Sequence, residues 1–155
     1  KTQYWIREVM DKLYTAHPDG YCGDEDNGQT SAWYVFSAMG FYPVCPGSNQ
    51  YVLGVPYFDK LTLHLENGKT VNITANGNTN ATRYVNSMSL NGAAYNHNYL
   101  NHSVLTDGAD IVFNMSATPN MERGTLAEDA PYSFTNELAA QKAAKGKKTT
   151  KKGKK

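Results

Sequence analysis

Gly20-Tyr21-Cys22-Gly23-Asp24-Glu25-Asp26-Asn27-Gly28-Gln29-Thr30-Ser31-Ala32-Trp33-Tyr34 is the stretch from which the rest of this 155-residue chain is read. Three acids, Asp24, Glu25 and Asp26, lie between glycines and run directly into a helical segment from about Gln29 to Met39. In an extended segment alternate side chains point the same way. The spacing therefore puts Asp24 and Asp26 on one face and Glu25 on the other. The unpaired N–H groups and positive dipole end of the following helix favour ionised carboxylates at this place. Such acids serve as bases or ligands rather than proton donors. Taken alone, an acidic triplet before a helix is an ordinary cap on a solvated loop.

Outward from this loop, helical spacing appears on both sides. Ile6, Val9, Met10 and Leu13 recur at i, i+3, i+4 and i+7 within residues 3–16, and His17-Pro18-Asp19-Gly20 ends that helix with turn chemistry. Ala32, Val35, Phe36 and Met39 repeat the pattern with Trp33 and Tyr34 beside them, which predicts a helix buried nearly all round. Gly40 closes it, and Pro43 and Pro46 prevent a restart. His17 reads as a solvated loop residue and Trp33 as core. Cys22 and Cys45 flank the helix, whose eleven residues hold its ends roughly 16 Å apart. They read as two free, partly buried thiols, and neither has zinc-ligand spacing.

From Tyr51 the period falls to two. Leu61, Leu63 and Leu65 alternate with polar residues, and Asn67-Gly68 turns the chain into Val71, Ile73 and Ala75. Tyr84, Met88 and Leu90 form a second run, turned by Asn91-Gly92 into residues 93–97, and Ile111, Phe113 and Met115 form a third. These predict a small antiparallel sheet or part of a sandwich joined to the two helices. His64, His97 and His102 belong to this half and read as structural. Asn72, Asn80, Asn101 and Asn114 begin N-x-Ser/Thr patterns that read as chance in so Asn- and Thr-rich a region.

The net charge of +1 conceals two parts. Residues 1–136 hold 7 Lys and Arg against 13 Asp and Glu, whereas residues 137–155 hold 8 Lys against Glu137 alone. The latter part is rich in Lys, Ala and Gly, free of aromatics, and reads as a disordered tail. The acidic body has no nucleic-acid motif, and no apolar run is long enough to span a membrane. No signal peptide is visible, and the first residues already read as the inside of a helix.

Gly23-Asp24-Glu25-Asp26-Asn27-Gly28-Gln29 with Ser31-Ala32-Trp33-Tyr34 and Gly40-Phe41-Tyr42-Pro43 closely resembles the last conserved block of glycoside hydrolase family 92. The likeness runs from roughly Tyr14 to Asn120, through Tyr51-Val52-Leu53-Gly54, Leu100-Asn101-His102 and Thr118-Pro119-Asn120. The resemblance implies an inverting, calcium-dependent exo-α-mannosidase, α-1,2-mannosidase-like, acting on α-mannose-terminated glycans and exported, periplasmic or cell-surface in its full-length form. It implies that Asp24 and Asp26 stand at the general-base position, with Asp26 the stronger candidate. It also implies that the general acid, a glutamate, belongs to an upstream segment outside this chain. The expected architecture is α+β. Residues 1–50 give two helices from the end of an (α/α)6-barrel with the catalytic loop. Residues 51–120 give an antiparallel β region, residues 121–136 an irregular segment, and residues 137–155 the Lys-rich tail.

Inverting hydrolysis needs two carboxyl groups roughly 6.5–9.5 Å apart across the sugar. Asp24 and Asp26, two residues apart, can hold and deprotonate a water together but cannot also protonate the leaving oxygen. The residues thus agree with an acid lying elsewhere. An EF-hand reading from Asp24 fails because its twelfth position is Val35 rather than a bidentate Glu. No calcium ligand is assigned within the chain. The rival reading is a non-catalytic β-sheet module for carbohydrate binding or subunit packing, which exposed Tyr84, Tyr95 and Tyr99 would favour and buried ones would not.

Overall fold

The computed structural model describes residues 1–142. Helix α1 (Thr2–Leu13) and helix α2 (Gln29–Met39) come first, at the places the periodicity indicates. Strands β1 (Phe41–Tyr42), β2 (Gln50–Leu53), β3 (Lys60–His64), β4 (Thr70–Asn76), β5 (Tyr84–Leu90), β6 (Ala93–Ala94) and β7 (Tyr99–Asn101) follow. A short helix α3 (His102–Thr106), strand β8 (Ala109–Ser116) and a 3-10 turn (Ala127–Asp129) come next. Residues 134–142 are helical, so the expected tail begins inside a helix; residues 143–155 lie outside the described residues.

Two sheets form, in the strand orders β1-β2-β7 and β3-β4-β8-β5-β6. Asn67-Gly68 and Asn91-Gly92 make the hairpins β3–β4 and β5–β6, the latter with Leu90 opposite Ala93. The region is not wholly antiparallel, because β4 and β8 run parallel, Val71 opposite Ala109 and Phe113 opposite Ala75. Parallel neighbours need a long crossover, and residues 77–108 supply it. Alternation marks a strand but carries no sign of its direction.

Period-2 patterning does the packing. Val71, Ile73 and Ala75 of β4 and Ala109, Ile111 and Phe113 of β8 point inward, where they meet Phe41, Val55, Met88 and Leu100. Full burial of each larger side chain stabilises by about 1.5–3 kcal/mol. The alternate positions face outward and tie to one another. Asn72 donates to Asp110 Oδ1 at 2.8 Å, Asn76 to Asn114 Oδ1 at 3.1 Å, and Asn114 to Ser87 Oγ at 3.0 Å.

The helices join this core unequally. Helix α2 ends where Gly40, at φ +97°, donates its N–H to the carbonyls of Phe36 and Ser37. A Cβ there would meet the Pro56 ring at 3.0 Å, so the close turn requires glycine. Beyond it Gly54 N–H donates to Gly40 O at 2.8 Å and Tyr57 N–H to Ala38 O at 2.9 Å, which fastens the end of α2 to the sheets. Its outer half is not buried as the pattern suggests: Ala32 is exposed and Val35 is 55% exposed. Trp5 and Leu13 of α1 are likewise open, at 61% and 46%.

Arg7 of α1, a residue the helical pattern does not single out, is buried to 3% exposure. Its guanidinium donates to Pro56 O and Asn78 Oδ1 and lies 4.9 Å from the centre of the Tyr57 ring. Burial lowers its pKa, opposed by the nearby Asp11. Glu8 takes Lys12 and Arg83 together, each at 2.5 Å.

The segment after β8 is strapped to the sheet. Arg123 donates to Asn98 Oδ1 at 3.0 Å, Tyr95 O at 3.2 Å and His97 O at 3.0 Å. Buried Asp129 lies 2.9 Å from His97 Nδ1 and receives Leu126 N–H at 3.2 Å. Both cysteines are free, but Cys22 is exposed and only Cys45 is partly buried. The glycine-rich loop around Cys22 offers no apolar cover.

Candidate active site

The acidic loop is shaped by left-handed backbone rather than by an extended segment. Asp26 has φ 52° and Asn27 φ 58°, and Gly28, which caps the start of α2, has φ +97°. The i, i+2 rule therefore does not hold through Asp26, and the expected shared face of Asp24 and Asp26 does not follow from it. Asn and Asp tolerate this region better than other residues with a side chain. Asp26-Asn27-Gly28 is a sequence that can afford the bend.

The bend lets the loop fold back on the first turn of α2. Asp24 O accepts from Thr30 Oγ1 at 2.9 Å, Glu25 O from Thr30 N–H at 3.2 Å, and Asp26 O from Gln29 N–H at 3.4 Å. Glu25 is the acid that turns inward. Its Oε1 accepts from Ser31 N–H at 3.2 Å and from the Ser31 hydroxyl, filling the capping role that Gly28 has no side chain to fill. Asp24 and Asp26 are both exposed, and neither carboxylate has a side-chain partner among the described residues. Sequence reasoning gave Glu25 no role. The serine six residues on, inside the first helical turn, was the signal available for one.

Beside the loop lies an aromatic wall. Tyr14 stacks on Trp33 with ring centres 5.8 Å apart, meets Tyr34 at 4.9 Å and Tyr21 at 6.1 Å, and its hydroxyl donates to Thr30 O at 3.3 Å. Burial pushes the Tyr14 pKa up, with smaller contributions from Cys22 and Glu25. An open cleft of about 520 Å³ runs along Tyr14, His17, Tyr21, Ser31, Tyr34 and Val35. Neither aspartate lines it. His17 stands exposed at its edge, and Trp33 is half-buried against Tyr14 rather than in the main core. His102, in the other half, pairs its Nδ1 with the Tyr51 hydroxyl at 2.9 Å.

A calcium site needs six to eight oxygen ligands. Among the described residues no three acidic, histidine or thiol groups gather as a cation site. The described residues alone do not gather the acidic ligands for the metal that the resemblance implies. No described helix is long and apolar enough to cross a membrane.

Residues 1–117 match the Glycosyl hydrolase family 92 catalytic domain. The chain belongs to that family. Among solved structures, this family 92 chain is similar to an inverting family GH92 mannosidase from Bacteroides thetaiotaomicron VPI-5482. The two are 53% identical with a TM-score of 0.81, over 86% of this chain and 18% of that one. It is similar also to a family GH92 α-mannosidase from Bacteroides thetaiotaomicron, at 39% identity and TM-score 0.82, over 85% of this chain and 18% of the other. A further structure of that mannosidase is a complex with mannoimidazole. A secreted glycosidase of uncharacterised activity from Arthroderma benhamiae is 29% identical over 119 residues, which are 74% of this chain and 15% of the relative. The family 92 chain thus spans less than a fifth of each of these relatives' lengths.

Proposed function

We propose that this chain carries the general-base side of an inverting exo-α-mannosidase, a glycoside hydrolase that releases terminal α-mannose from glycans. The observation that carries the reading is the loop itself. Glu25 and three backbone carbonyls hold it to the start of α2, while the flanking carboxylates of Asp24 and Asp26 stay exposed and unpaired. Family membership and two mannosidases of the same fold support the substrate class.

In this reading Asp26 takes a proton from a water that Asp24 helps to orient. The water oxygen bonds to the anomeric carbon from the face opposite the leaving group, the glycosidic C–O bond breaks with its electron pair, and a carboxylic acid protonates the departing oxygen. That acid is a glutamate in a part of the enzyme outside this chain. Calcium, where the enzyme uses it, would be held largely by residues outside those described. The secreted relative supports an enzyme that works outside the cytoplasm, in the periplasm, at the cell surface or beyond. An α-1,2 linkage preference rests on the family resemblance.

The alternative, a carbohydrate-binding sheet module, finds less support. Tyr95 packs against the core with its hydroxyl donating to Tyr99 O at 2.7 Å, and Tyr84 and Tyr99 are half-buried. The outward positions of the larger sheet hold Asn, Thr, Ser and Asp instead of aromatics.

The test uses the full-length enzyme with an activated aryl α-mannoside and with an α-mannobiose. Asp26→Ala is expected to lower turnover of both by roughly 10²–10⁴-fold, since both need the base. Near wild-type turnover in Asp26→Ala with loss in Asp24→Ala would exchange the two roles, and activity in both variants would overturn the assignment. The 155-residue chain alone is expected to leave α-mannobiose intact, because it lacks the acid.

A further inference from the structure

The chain contains four Asn-Gly pairs, at residues 27–28, 67–68, 76–77 and 91–92. Asn-Gly is the dipeptide most prone to spontaneous deamidation, because glycine has no side chain to hinder its own amide nitrogen. In that reaction the glycine nitrogen bonds to the Asn side-chain carbon and ammonia leaves, giving a cyclic imide. Water then opens the ring to aspartate or isoaspartate. Side-chain amides held in hydrogen bonds resist it, since the amide must leave its partners before attack.

The structure sorts the four pairs by this criterion. Asn67 is held at both ends, donating to Thr106 O at 2.8 Å and accepting from Lys69 N–H at 3.1 Å. Asn91 accepts from Asp110 N–H at 2.8 Å, and Asn76 donates to Asn114 Oδ1 at 3.1 Å. Asn27 is exposed, and its side chain makes no hydrogen bond among the described residues. Asn27 and Asn91 make a matched pair. Both are left-handed, at φ 58° and 50°, and both precede a left-handed glycine, at φ +97° and +81°. Backbone conformation at these angles does not separate them; the tether on Asn91 does.

We infer that Asn27 is a site of non-enzymatic deamidation, the position at which this protein ages by conversion of the catalytic loop. The product places a new carboxylate directly beside Asp26, and the isoaspartate form also lengthens the backbone within the turn that carries it. The consequence for catalysis rests on the general-base reading of Asp26; the modification itself does not.

The chain's own lysines and arginines allow a clean test. Trypsin divides it so that the four pairs fall on separate peptides, residues 13–60, 61–69, 70–83 and 84–123. The folded 155-residue chain, its tertiary structure followed by near-UV circular dichroism, is kept in mildly alkaline buffer at 37 °C. A parallel sample is kept in concentrated denaturant. Peptide mapping then follows the mass gain of one dalton and the isoaspartate at each Asn. In the folded chain Asn27 is expected to convert roughly five- to thirtyfold faster than Asn76 and Asn91, the factor that one or two hydrogen bonds supply. Asn67 should be slowest, and in denaturant the four should converge. A tethered pair converting as fast as Asn27 in the folded chain would overturn the inference. So would an Asn27 that stays intact while the denatured sample converts, or a preference for Asn27 that persists in denaturant.

Discussion

The sheet half and the helical half of this chain are built to different standards. In the sheets Val71, Ile73, Leu100, Ile111 and Phe113 are sealed, and outward residues satisfy one another across strands. In α1 and α2 Trp5, Leu13 and Val35 stand open, and only Met10, Ala38 and Met39 are buried among their apolar residues. The acidic loop belongs to the second half. Stability and the proposed chemistry are thus separated along the chain: the sheets hold the fold, and the loop is presented from its least enclosed edge.

Substitutions should divide along the same line. The largest effect is expected from Asp26→Ala in the full-length enzyme, a fall in kcat of roughly 10²–10⁴-fold with an unchanged thermal midpoint. A drop in the midpoint equal to that of a core variant would break the separation. Phe113→Ala should do the reverse, costing about 3–5 kcal/mol in urea unfolding through the cavity it leaves between β4 and β5.

Within the helical half Glu25 holds the loop to α2 beside Asp26, so its variants sharpen the comparison. Glu25→Ala removes the acceptor of both Ser31 donors and should cost about 0.5–2 kcal/mol of stability, together with activity. Glu25→Gln keeps an oxygen for Ser31 and should recover most of both. If Glu25→Gln were as inactive as Asp26→Ala while fully stable, Glu25 would be acting through its charge rather than by holding the loop.

A smaller effect is expected at Glu8, whose carboxyl is held below its ordinary value of 4.5 by Lys12 first and Arg83 second. A carboxylate with a depressed folded-state pKa stabilises above its unfolded value, and that contribution disappears as pH falls through the folded value. Glu8→Gln should therefore be the less stable protein at neutral pH, with the gap closing below pH 4.5. Urea titrations at the two ends of that range measure it. Least of all, Val35→Ser should alter unfolding by no more than about 0.5 kcal/mol, while reducing any self-association seen in sedimentation.

Much of the fold was legible because its signals are local. Gln29–Met39 begins and ends where the glycines place it, and both Asn-Gly hairpins form. What stayed hidden depends on partners distant in sequence. Arg7 is buried by the carbonyl of Pro56, and β4 meets β8 in parallel only after the chain has crossed the sheet. At the site, the motif located the acids but not their directions. A rule for extended chain cannot anticipate two consecutive left-handed residues, Asp26 and Asn27. That bend, with Ser31 as the inward partner, decides which acid is anchored.

The strap formed by Arg123 has a practical meaning for anyone shortening this protein. The family match ends at residue 117, which invites a cut there. Such a cut would take away the guanidinium that serves Asn98 and the carbonyls of Tyr95 and His97, and with it Asp129, the neighbour of His97. Three acceptors at the edge of the sheet would lose their donor at one stroke. The boundary of common ancestry and the boundary of mechanical self-sufficiency are different places in this chain, and the second lies beyond Asp129.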